Sequence, residues 1–310
     1  VQIVGGGFSG LTSAYYLVQA GYKVKIFERN SQPGGLVRTL AHPSSALIET
    51  AANGVMNTAL FTEMINDIQL PVESPLKESR RRFLFRSGKP TQFPFTLGEF
   101  GSLLTKLFPL LLNKKKFSPL PGETLSQWGE RCLNKAAADY LLSPAFSGIY
   151  GLTADKLSAS LVLRKLFKEK EKRPHHPHSS PIKIGLKKAK FKKGLVSPQK
   201  GLGHLMQALT KYLEDSGQVE FLWNTPFEFK KNEFRAEANV PPLPPPPVVV
   251  LATSAQDAAA LVCQVDPELG SKLRSIEMLS LASATLIYDK PQTEVQGFGC
   301  LFPPKEHFHT

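Results

Sequence analysis

Apolar and polar positions at the start of the chain predict a strand, a helix and a second strand in close succession. Residues 1–4 form a short apolar run, residues 11–20 carry apolar side chains at helical spacing, and residues 23–27 form a second short strand. A glycine-rich turn, Gly5-Gly6-Gly7-Phe8-Ser9-Gly10, separates the first strand from the helix. This order predicts a βαβ unit. Farther along, the same patterns predict a helix over residues 124–140 and a strand over residues 282–288.

The spacing of the glycines in this turn adds a chemical expectation. In such a pattern Gly5 permits a tight turn, Gly7 lets backbone amides approach a pyrophosphate, and Gly10 lets the helix pack closely on the strand. The positive end of the helix dipole then faces the phosphates. Glu28 closes the second strand, where a carboxylate accepts hydrogen bonds from ribose hydroxyls. The pattern predicts a dinucleotide site, although the motif alone is also compatible with a glycine-rich turn in another α/β protein.

A second glycine segment, Gly34-Gly35-Leu36-Val37-Arg38-Thr39, follows six residues after Glu28. Two adjacent glycines let the backbone run close beneath a bound cofactor, which favours FAD over NAD. With both motifs the chain resembles the flavin-containing amine oxidase superfamily, and the resemblance implies FAD as the cofactor. The sequence shows no evident flavin-linking Cys, which predicts that FAD is held without a covalent bond. The cofactor-binding residues that the resemblance implies are Gly5, Gly6, Gly7, Phe8, Ser9, Gly10, Glu28, Arg29, Gly34, Gly35, Arg38, Thr39, Ala51, Ala52, Asn53, Gly54 and Phe227.

Two later segments resemble the protoporphyrinogen oxidases within that superfamily. They are Arg80-Arg81-Arg82-Phe83-Leu84-Phe85 and Gly297-Phe298-Gly299-Cys300-Leu301-Phe302-Pro303. The resemblance implies that Arg82 lies beside a propionate of the tetrapyrrole and that Phe298, Gly299 and Leu301 sandwich its ring system. From the residues alone, a solvated strand edge also explains the arginines, and a bulged core strand also explains the glycines.

The resemblance implies FAD-dependent oxidation of protoporphyrinogen IX to protoporphyrin IX, with O2 as acceptor and H2O2 as product. It implies that the flavin N5 carries the chemistry. No His, Asp or Ser grouping in the sequence resembles a catalytic triad, so no catalytic side chain is expected, and distant cysteines without neighbouring histidines predict no metal site. Oxidation of coproporphyrinogen III, an amine oxidase or carotenoid desaturase activity, and a non-catalytic flavin-fold protein stay open as alternatives.

The net charge of +12 is concentrated in one part of the chain. Residues 164–193 hold twelve Lys or Arg and two Glu, which accounts for ten of the twelve net charges. A solvated loop, a nucleic-acid patch and a lipid-headgroup contact all compete as explanations, with the loop as the default. Few aromatic residues are interleaved with the charges, so nucleic acid is the least favoured partner.

A Leu-rich stretch over residues 93–112 precedes this basic segment. Pro94, Glu99, Lys106 and Pro109 interrupt it before the roughly 20 apolar residues that a bilayer requires. It therefore predicts either a packed core helix or an amphipathic helix at a membrane surface. The three lysines at 114–116 favour the surface of an anionic membrane.

These patterns and the resemblance together predict an α/β fold: a Rossmann-type FAD-binding domain, an interleaved mixed-sheet substrate domain and a helical membrane-contacting insertion. The expected FAD-binding segments are residues 1–68 and 194–275, the substrate segments are 69–92 and 276–310, and the insertion is 93–193. The expected partners are a porphyrinogen, O2 and an anionic membrane surface, with no nucleic acid, and a homodimer is left open.

The beginning of the chain predicts its compartment, and the cysteines predict their redox state. The chain opens on a strand without a charged leader, which predicts a cytoplasmic protein peripheral to a membrane, the inner membrane of an organelle in a eukaryote. Three distant cysteines, an odd number, predict reduced thiols rather than disulfides.

Overall fold

A computed structural model describes residues 1–93, 95–112, 114–167, 193–229, 248–290, 292–293 and 296–306. Its strands are β1 (Gln2–Val4), β2 (Val24–Phe27), β3 (Thr39–Ala41), β4 (Leu47–Glu49), β5 (Val55–Asn57), β6 (Val72–Glu73), β7 (Arg82–Arg86), β8 (Lys89–Thr91), β9 (Gly194–Pro198), β10 (Val219–Leu222), β11 (Val249–Leu251) and β12 (Gly299–Leu301). Its α-helices are α1 (Phe8–Gln19), α2 (Ala59–Asp67), α3 (Leu97–Leu112), α4 (Leu125–Cys132), α5 (Lys135–Ala137), α6 (Ser143–Tyr150), α7 (Ala159–Val162), α8 (Arg164–Phe167), α9 (Leu202–Asp215), α10 (Ala255–Val262) and α11 (Pro267–Arg274).

The chain divides into two compact units, and each unit is built from two separate stretches of chain. The first unit contains Val1–Pro75 and Ser180–Leu286, and the second contains Leu76–Ser179 and Ile287–Thr310. The five-segment division expected from the sequence stays a prediction.

The first unit is organised around a parallel sheet with the strand order β10-β2-β1-β11. Ile3 on β1 pairs with Ile26 on β2 and with Val250 on β11. The chain moves outward from β1 through β2 to β10, and then returns to place β11 on the other side of β1. The predicted βαβ unit is confirmed, and the strand order reverses between β1 and β11.

Buried apolar side chains hold the helices of the first unit to this sheet. Ile3, Ile26, Leu11 and Leu209 are fully buried in one cluster that joins β1 and β2 to α1 and α9. The same unit carries an antiparallel pair, β3-β4, and a three-stranded antiparallel sheet, β5-β9-β6. The structure is therefore an α/β fold with mixed sheets.

The second unit combines a small sheet with helices α3 to α8. Its strand order is β12-β7-β8, with β12 parallel to β7 and β8 antiparallel to it. The helical part packs around Leu125 and Trp128, and the Trp128 indole N–H donates to the Phe117 carbonyl oxygen at 2.7 Å. A capping box formed by Thr124 and Gln127 begins α4.

Two elements expected from the sequence are corrected by the structure. The helix expected over residues 124–140 is interrupted: α4 ends at Cys132, and the Asn134 side chain caps α5 by accepting from the Ala137 amide at 2.7 Å. Residues 282–288 form no strand, and Leu286 is 74% exposed. An apolar run makes a strand only where another strand pairs with its backbone, and none of the described residues does so here.

A polar network joins the sheet of the second unit to its helices. The Arg86 guanidinium donates two hydrogen bonds to the Glu99 carboxylate, at 2.8 and 2.9 Å, and lies 4.1 Å from the centre of the Tyr140 ring. The Tyr140 hydroxyl donates to Glu306 at 3.0 Å, and Glu306 also accepts from the Ser87 amide. The network connects β7, the start of α3 and the turn that follows β12.

The Arg86–Glu99 pair predicts a pH-dependent contribution to stability. The hydrogen bonds from Arg86, and then that from the Thr96 amide, lower the pKa of the Glu99 carboxyl from 4.5 to about 2. Because the folded pKa is the lower one, this stabilisation is complete above about pH 5 and is lost as the pH falls toward about 2. We expect Glu99→Gln to lower the free energy of unfolding of the second unit by about 1 to 2 kcal/mol at neutral pH.

Urea unfolding followed by Trp128 fluorescence in a Trp223→Phe background measures this effect. The difference between Glu99→Gln and the parent should shrink between pH 5 and pH 2, within the window bounded by the usual pKa of 4.5 and the folded value of about 2. Glu130→Gln, which removes an exposed ion pair with Lys135, is the matched control and should change stability by less than about 0.5 kcal/mol. An effect of Glu99→Gln equal to that of the control at every pH would contradict the prediction.

Candidate functional site

Two glycine segments of the first unit lie against each other at the end of β1. The Gly34 amide donates to the Gly6 carbonyl oxygen at 2.9 Å, and Gly7 and Gly34 pair as a parallel bridge. Gly34 has a φ of +113°, and a Cβ at this position would lie 2.6 Å from the Val37 carbonyl oxygen. Only glycine fits this conformation and this contact. The two segments therefore form one continuous backbone surface.

Helix α1 begins at this surface and points its first turn into the adjoining space. A Cβ at Gly10 would collide with the Gly5 carbonyl oxygen, so the helix can follow β1 this closely only with glycine at position 10. Gly7 is the N-cap residue and has no side chain to accept from the first-turn amides, and the first turn holds no acidic residue. Such an uncapped N-terminus favours an anion.

A cavity of about 810 Å³ lies beside this helix N-terminus, at the carboxyl ends of β1, β2 and β11. This is where the strand order reverses, which is the usual ligand position in open α/β sheets. Its volume falls within the range of roughly 300 to 1,000 Å³ that is typical of cofactor sites. It is lined by Val4, Gly5, Gly7, Phe8, Ser9, Phe27, Glu28, Arg29, Asn30, Gly34, Gly35, Leu36, Val37, Arg38, Thr225, Pro226, Phe227, Ala252, Thr253, Ser254, Asp257, Ala260, Leu261 and Met278.

Glu28 is a buried carboxylate at one end of the cavity, with an exposed fraction of 5%. Its Oε2 accepts from the Gly6 amide at 2.7 Å, and its Oε1 accepts from the Asn30 amide at 2.8 Å and from Asn30 Nδ2 at 2.7 Å. These three donors offset the cost of burying the charge. The carboxylate is thereby held in one orientation at the edge of the cavity.

The loop after β10 also lines the cavity and is bonded to the segment that carries Glu28. The Thr225 amide donates to the Glu28 carbonyl oxygen at 2.9 Å, and the Asn224 amide donates to the Asn30 carbonyl oxygen at 3.1 Å. The Phe227 ring then packs edge-on against Phe27, with ring centres 5.0 Å apart. Phe227 therefore lines the cavity from the side of β2.

The structure brings most of the sequence-predicted cofactor residues to this cavity but not all of them. Gly6 and Gly10 lie behind it and shape the turn, whereas Thr39 links β3 to α9, because its Oγ1 accepts from the Gly203 amide at 2.8 Å. The four residues 51–54 lie in the loop between β4 and β5 and do not line the cavity. A role for Thr39 and for residues 51–54 in cofactor binding stays a prediction.

Several cavity residues were missed by the sequence patterns. Thr253, Ser254 and Asp257 follow β11 and line the cavity from the far side of β1, and Arg29 donates to Asp257 at 3.3 Å. The apolar run of β11 could have predicted these residues. It is typical of a parallel strand, and the residues that follow parallel strands meet at one edge of a sheet. Asn30 was missed although it stands two residues after Glu28.

A second candidate surface lies in the second unit, on the strands β7 and β12. The Phe298 amide donates to the Arg81 carbonyl oxygen at 2.8 Å, and Gly299 pairs in register with Arg82. The Arg82 guanidinium lies 5.2 Å from the centre of the Phe298 ring. Phe298 and Leu301 are 51% and 37% exposed. The structure thus brings together Arg82, Phe298 and Gly299, although more than 200 residues separate the two segments, and Leu301 lies farther along β12, opposite Leu84.

Comparison with known proteins identifies the family. The model of the flavin containing amine oxidoreductases matches residues 8–228, which is more than half of the chain. The chain belongs to this family. Its cofactor is FAD, and the cavity of the first unit fits that group through its volume, its uncapped helix N-terminus and its buried carboxylate. A Pyrococcus furiosus protein of solved structure shares the fold, with a TM-score of 0.57 at 17% identity over 89% of this chain and 65% of that one.

Within the family, the chain is similar to curated porphyrinogen oxidases. The chain is 29% identical to mitochondrial protoporphyrinogen oxidase of Nicotiana tabacum over 51% of its own length and 34% of the relative. It is 28% identical to coproporphyrinogen III oxidase of Staphylococcus aureus, over 55% of its length and 40% of the relative. It is 25% identical to human protoporphyrinogen oxidase over 99% of its length and 70% of the relative. The chain therefore spans between about a third and about two thirds of these relatives.

The contact between the two glycine segments predicts a specific effect on flavin binding. We expect Gly34→Ala to weaken FAD binding at least 10-fold, because the added Cβ would meet the Val37 carbonyl oxygen and force the segment away from Gly6. Fluorescence titration of the apoprotein with FAD measures the dissociation constant.

Gly21→Ala is the matched control for this substitution. Gly21 also has a positive φ, +83°, but a Cβ there meets nothing within 4 Å. It should cost about 1 kcal/mol or somewhat more in stability while leaving FAD affinity unchanged. Equal FAD affinities for both variants would show that the glycine contact does not shape the cofactor site.

Proposed function

We propose that this protein is an FAD-dependent oxidase that converts protoporphyrinogen IX to protoporphyrin IX, with O2 as acceptor and H2O2 as product, in porphyrin and heme biosynthesis. The observation that carries the proposal is the contact between the Arg82 guanidinium and the exposed Phe298 ring; Leu301, also partly exposed, follows on β12. A cation next to an exposed aromatic and aliphatic surface suits a largely apolar macrocycle that carries carboxylate groups. The porphyrinogen oxidases among the relatives support the same substrate class.

The residues of the second unit would bind and orient the substrate. The Arg82 guanidinium would donate charge-assisted hydrogen bonds to a propionate, and its planar shape suits that geometry. Phe298 and Leu301 would cover the macrocycle, and Gly299 leaves the space above its backbone open, since a Cβ there would meet nothing within 4 Å. These contacts would fix the position of the ring system, which is the part of catalysis that binding residues supply.

The first unit would hold the cofactor that performs the oxidation. When bound, FAD would supply the redox chemistry, as the acceptor of a hydride and the donor of electrons to O2. Glu28 and the amides of the first turn of α1 would hold its ribose and pyrophosphate. Protoporphyrin carries six hydrogens fewer than protoporphyrinogen, so one turnover consumes three O2 and releases three H2O2. We assign no side chain as catalytic acid or base.

Coproporphyrinogen III is the second candidate substrate, and the Staphylococcus aureus relative is the observation that favours it. It carries four propionates where protoporphyrinogen carries two, so it would need further cations near the macrocycle. Arg80 and Arg81 are exposed beside Arg82 and are the nearest such residues in sequence. An amine oxidase, a carotenoid desaturase or a non-catalytic flavin-fold protein would have no need of Arg82 over Phe298.

Helix α3 supports a peripheral contact of the protein with a membrane. Leu97, Leu104 and Phe108 on this helix are 91%, 50% and 65% exposed. Among the described residues, no helix is both long enough and apolar enough to cross a bilayer. The basic residues 168–192 lie outside the part of the chain that the structure describes. We propose that the exposed face of α3 and this basic segment bind the surface of an anionic membrane.

The substrate assignment predicts a selective effect of Arg82→Ala. Loss of a charge-assisted hydrogen bond to a propionate, about 1.5 to 3 kcal/mol, should lower kcat/KM for protoporphyrinogen IX by roughly 10-fold to 150-fold. Most of the loss should appear in KM if ground state and transition state use the contact equally. FAD content should not change, because Arg82 lies in the second unit and the cofactor cavity lies in the first.

Arg80→Ala and Arg81→Ala are the controls. Both side chains are exposed like Arg82, and among the described residues only the Arg82 guanidinium lies over the Phe298 ring. The backbone bond from Phe298 to Arg81 survives a change of the Arg81 side chain. Small, equal effects of all three substitutions would favour a solvated strand edge. Loss of flavin in Arg82→Ala would show that Arg82 contributes to cofactor binding and that its assignment to the substrate site is wrong.

The membrane proposal predicts a loss of vesicle binding in a double variant, Leu104→Glu with Phe108→Glu. Two negative charges on the exposed face of α3 should reduce sedimentation with anionic vesicles several-fold, and binding of the parent should weaken with salt. Leu60→Glu with Leu269→Glu, two leucines that are 43% and 47% exposed outside residues 93–193, is the control. Equal binding of the parent to neutral and anionic vesicles would leave the solvated loop as the explanation.

A further inference from the structure

Asn30 presents an unused hydrogen-bond acceptor at the cofactor cavity. Its Nδ2 donates to Glu28 Oε1 at 2.7 Å, and since a carboxylate oxygen only accepts, this bond determines which side-chain atom is the nitrogen. The amide oxygen, Oδ1, is the other side-chain atom, and none of the described residues donates a hydrogen bond to it. Asn30 also lines the cavity.

The neighbouring Glu28 has little acceptor capacity left. Its Oε1 already receives two hydrogen bonds from Asn30, one from the backbone amide and one from the side chain. Its Oε2 receives one hydrogen bond from Gly6, which leaves one lone pair on that oxygen. Glu28 alone can therefore accept only one more hydroxyl without loss of an existing bond.

The backbone around both residues is held in place before any ligand binds. The Thr225 and Asn224 amides donate to the carbonyl oxygens of Glu28 and Asn30, at 2.9 and 3.1 Å. Neither acceptor has to be ordered at the moment of binding, so little conformational entropy is lost there. A pair of fixed acceptors on nearby residues is the arrangement that two adjacent hydroxyls require.

We propose that Glu28 and Asn30 together recognise the adenosine ribose of FAD, with one hydroxyl donating to Glu28 Oε2 and the other donating to Asn30 Oδ1. Asn30 thus has two roles: its nitrogen orients Glu28, and its oxygen binds the second hydroxyl. Two acceptors, one of them charged, also disfavour a ribose that carries a 2′-phosphate. The inference depends on FAD as the cofactor and is independent of the porphyrinogen proposal.

Binding of three nucleotides to the flavin-free full-length protein tests this inference. Calorimetry would measure the dissociation constants of ADP, 2′-deoxy-ADP and 3′-deoxy-ADP for three proteins: the parent, Asn30→Ala and Asn66→Ala. Asn66 is an exposed asparagine on α2, and its substitution is the matched control. The parent and the control should bind ADP about 3-fold to 10-fold more tightly than either deoxy analogue. Asn30→Ala should bind ADP and one of the two analogues equally well, because that hydroxyl has lost its acceptor, and should still discriminate against the other analogue.

Two other outcomes would overturn the inference. If Asn30→Ala weakened the binding of all three nucleotides by the same factor, the role of Asn30 would be only to hold the loop and Glu28 in place. If the substitution changed none of the three dissociation constants, Asn30 would have no role in binding. Circular dichroism of each variant checks that it is folded. Failure of the parent to bind ADP would overturn the inference together with the cofactor site, whereas inactivity toward porphyrinogens would affect neither.

Discussion

The contact between the two glycine segments is the constraint on which the cofactor site depends. The Gly34 amide reaches the Gly6 carbonyl oxygen at 2.9 Å, and this bond returns the chain after β2 to the end of β1. The cavity, the uncapped start of α1 and the buried Glu28 all adjoin this contact. A side chain at Gly34 would displace the second segment from the first, and a side chain at Gly10 would displace α1 from β1. The site therefore requires glycine at both positions.

In the second unit a short parallel pairing of strands positions the candidate substrate residues. Three residues of β12 pair with β7, and this pairing places Phe298 beside Arg82. Such a short pair needs support, which Glu306 provides by accepting from Ser87 on one side and from Tyr140 on the other. Arg86, stacked on Tyr140 and paired with Glu99, extends that support to α3. The candidate substrate surface is thus supported by a polar network rather than by a large apolar core.

The sequence was informative where local spacing determines the structure. Gly5, Gly7, Gly10 and Glu28 act within one βαβ unit, so their spacing alone predicted the turn and the position of the carboxylate. Residues whose position depends on tertiary structure were not found in this way: Asp257 reaches the cavity only because β11 pairs with β1, and the bond from Asn30 to Glu28 at the cavity is visible only in the folded chain. The expected strand over residues 282–288 was wrong for the same reason, because a strand depends on a partner that an apolar run cannot specify.

The proposed function requires that the cavity of the first unit and the surface around Arg82 serve one reaction, the oxidation of a porphyrinogen by bound flavin. Anaerobic stopped-flow mixing of the FAD-loaded full-length protein with protoporphyrinogen IX measures this most directly, with an amine as the comparison substrate. We expect the absorbance of oxidised flavin to be lost with the porphyrinogen and not with the amine, and to return when O2 is admitted. Loss of the absorbance with the amine alone, or with neither compound, would contradict the proposed function.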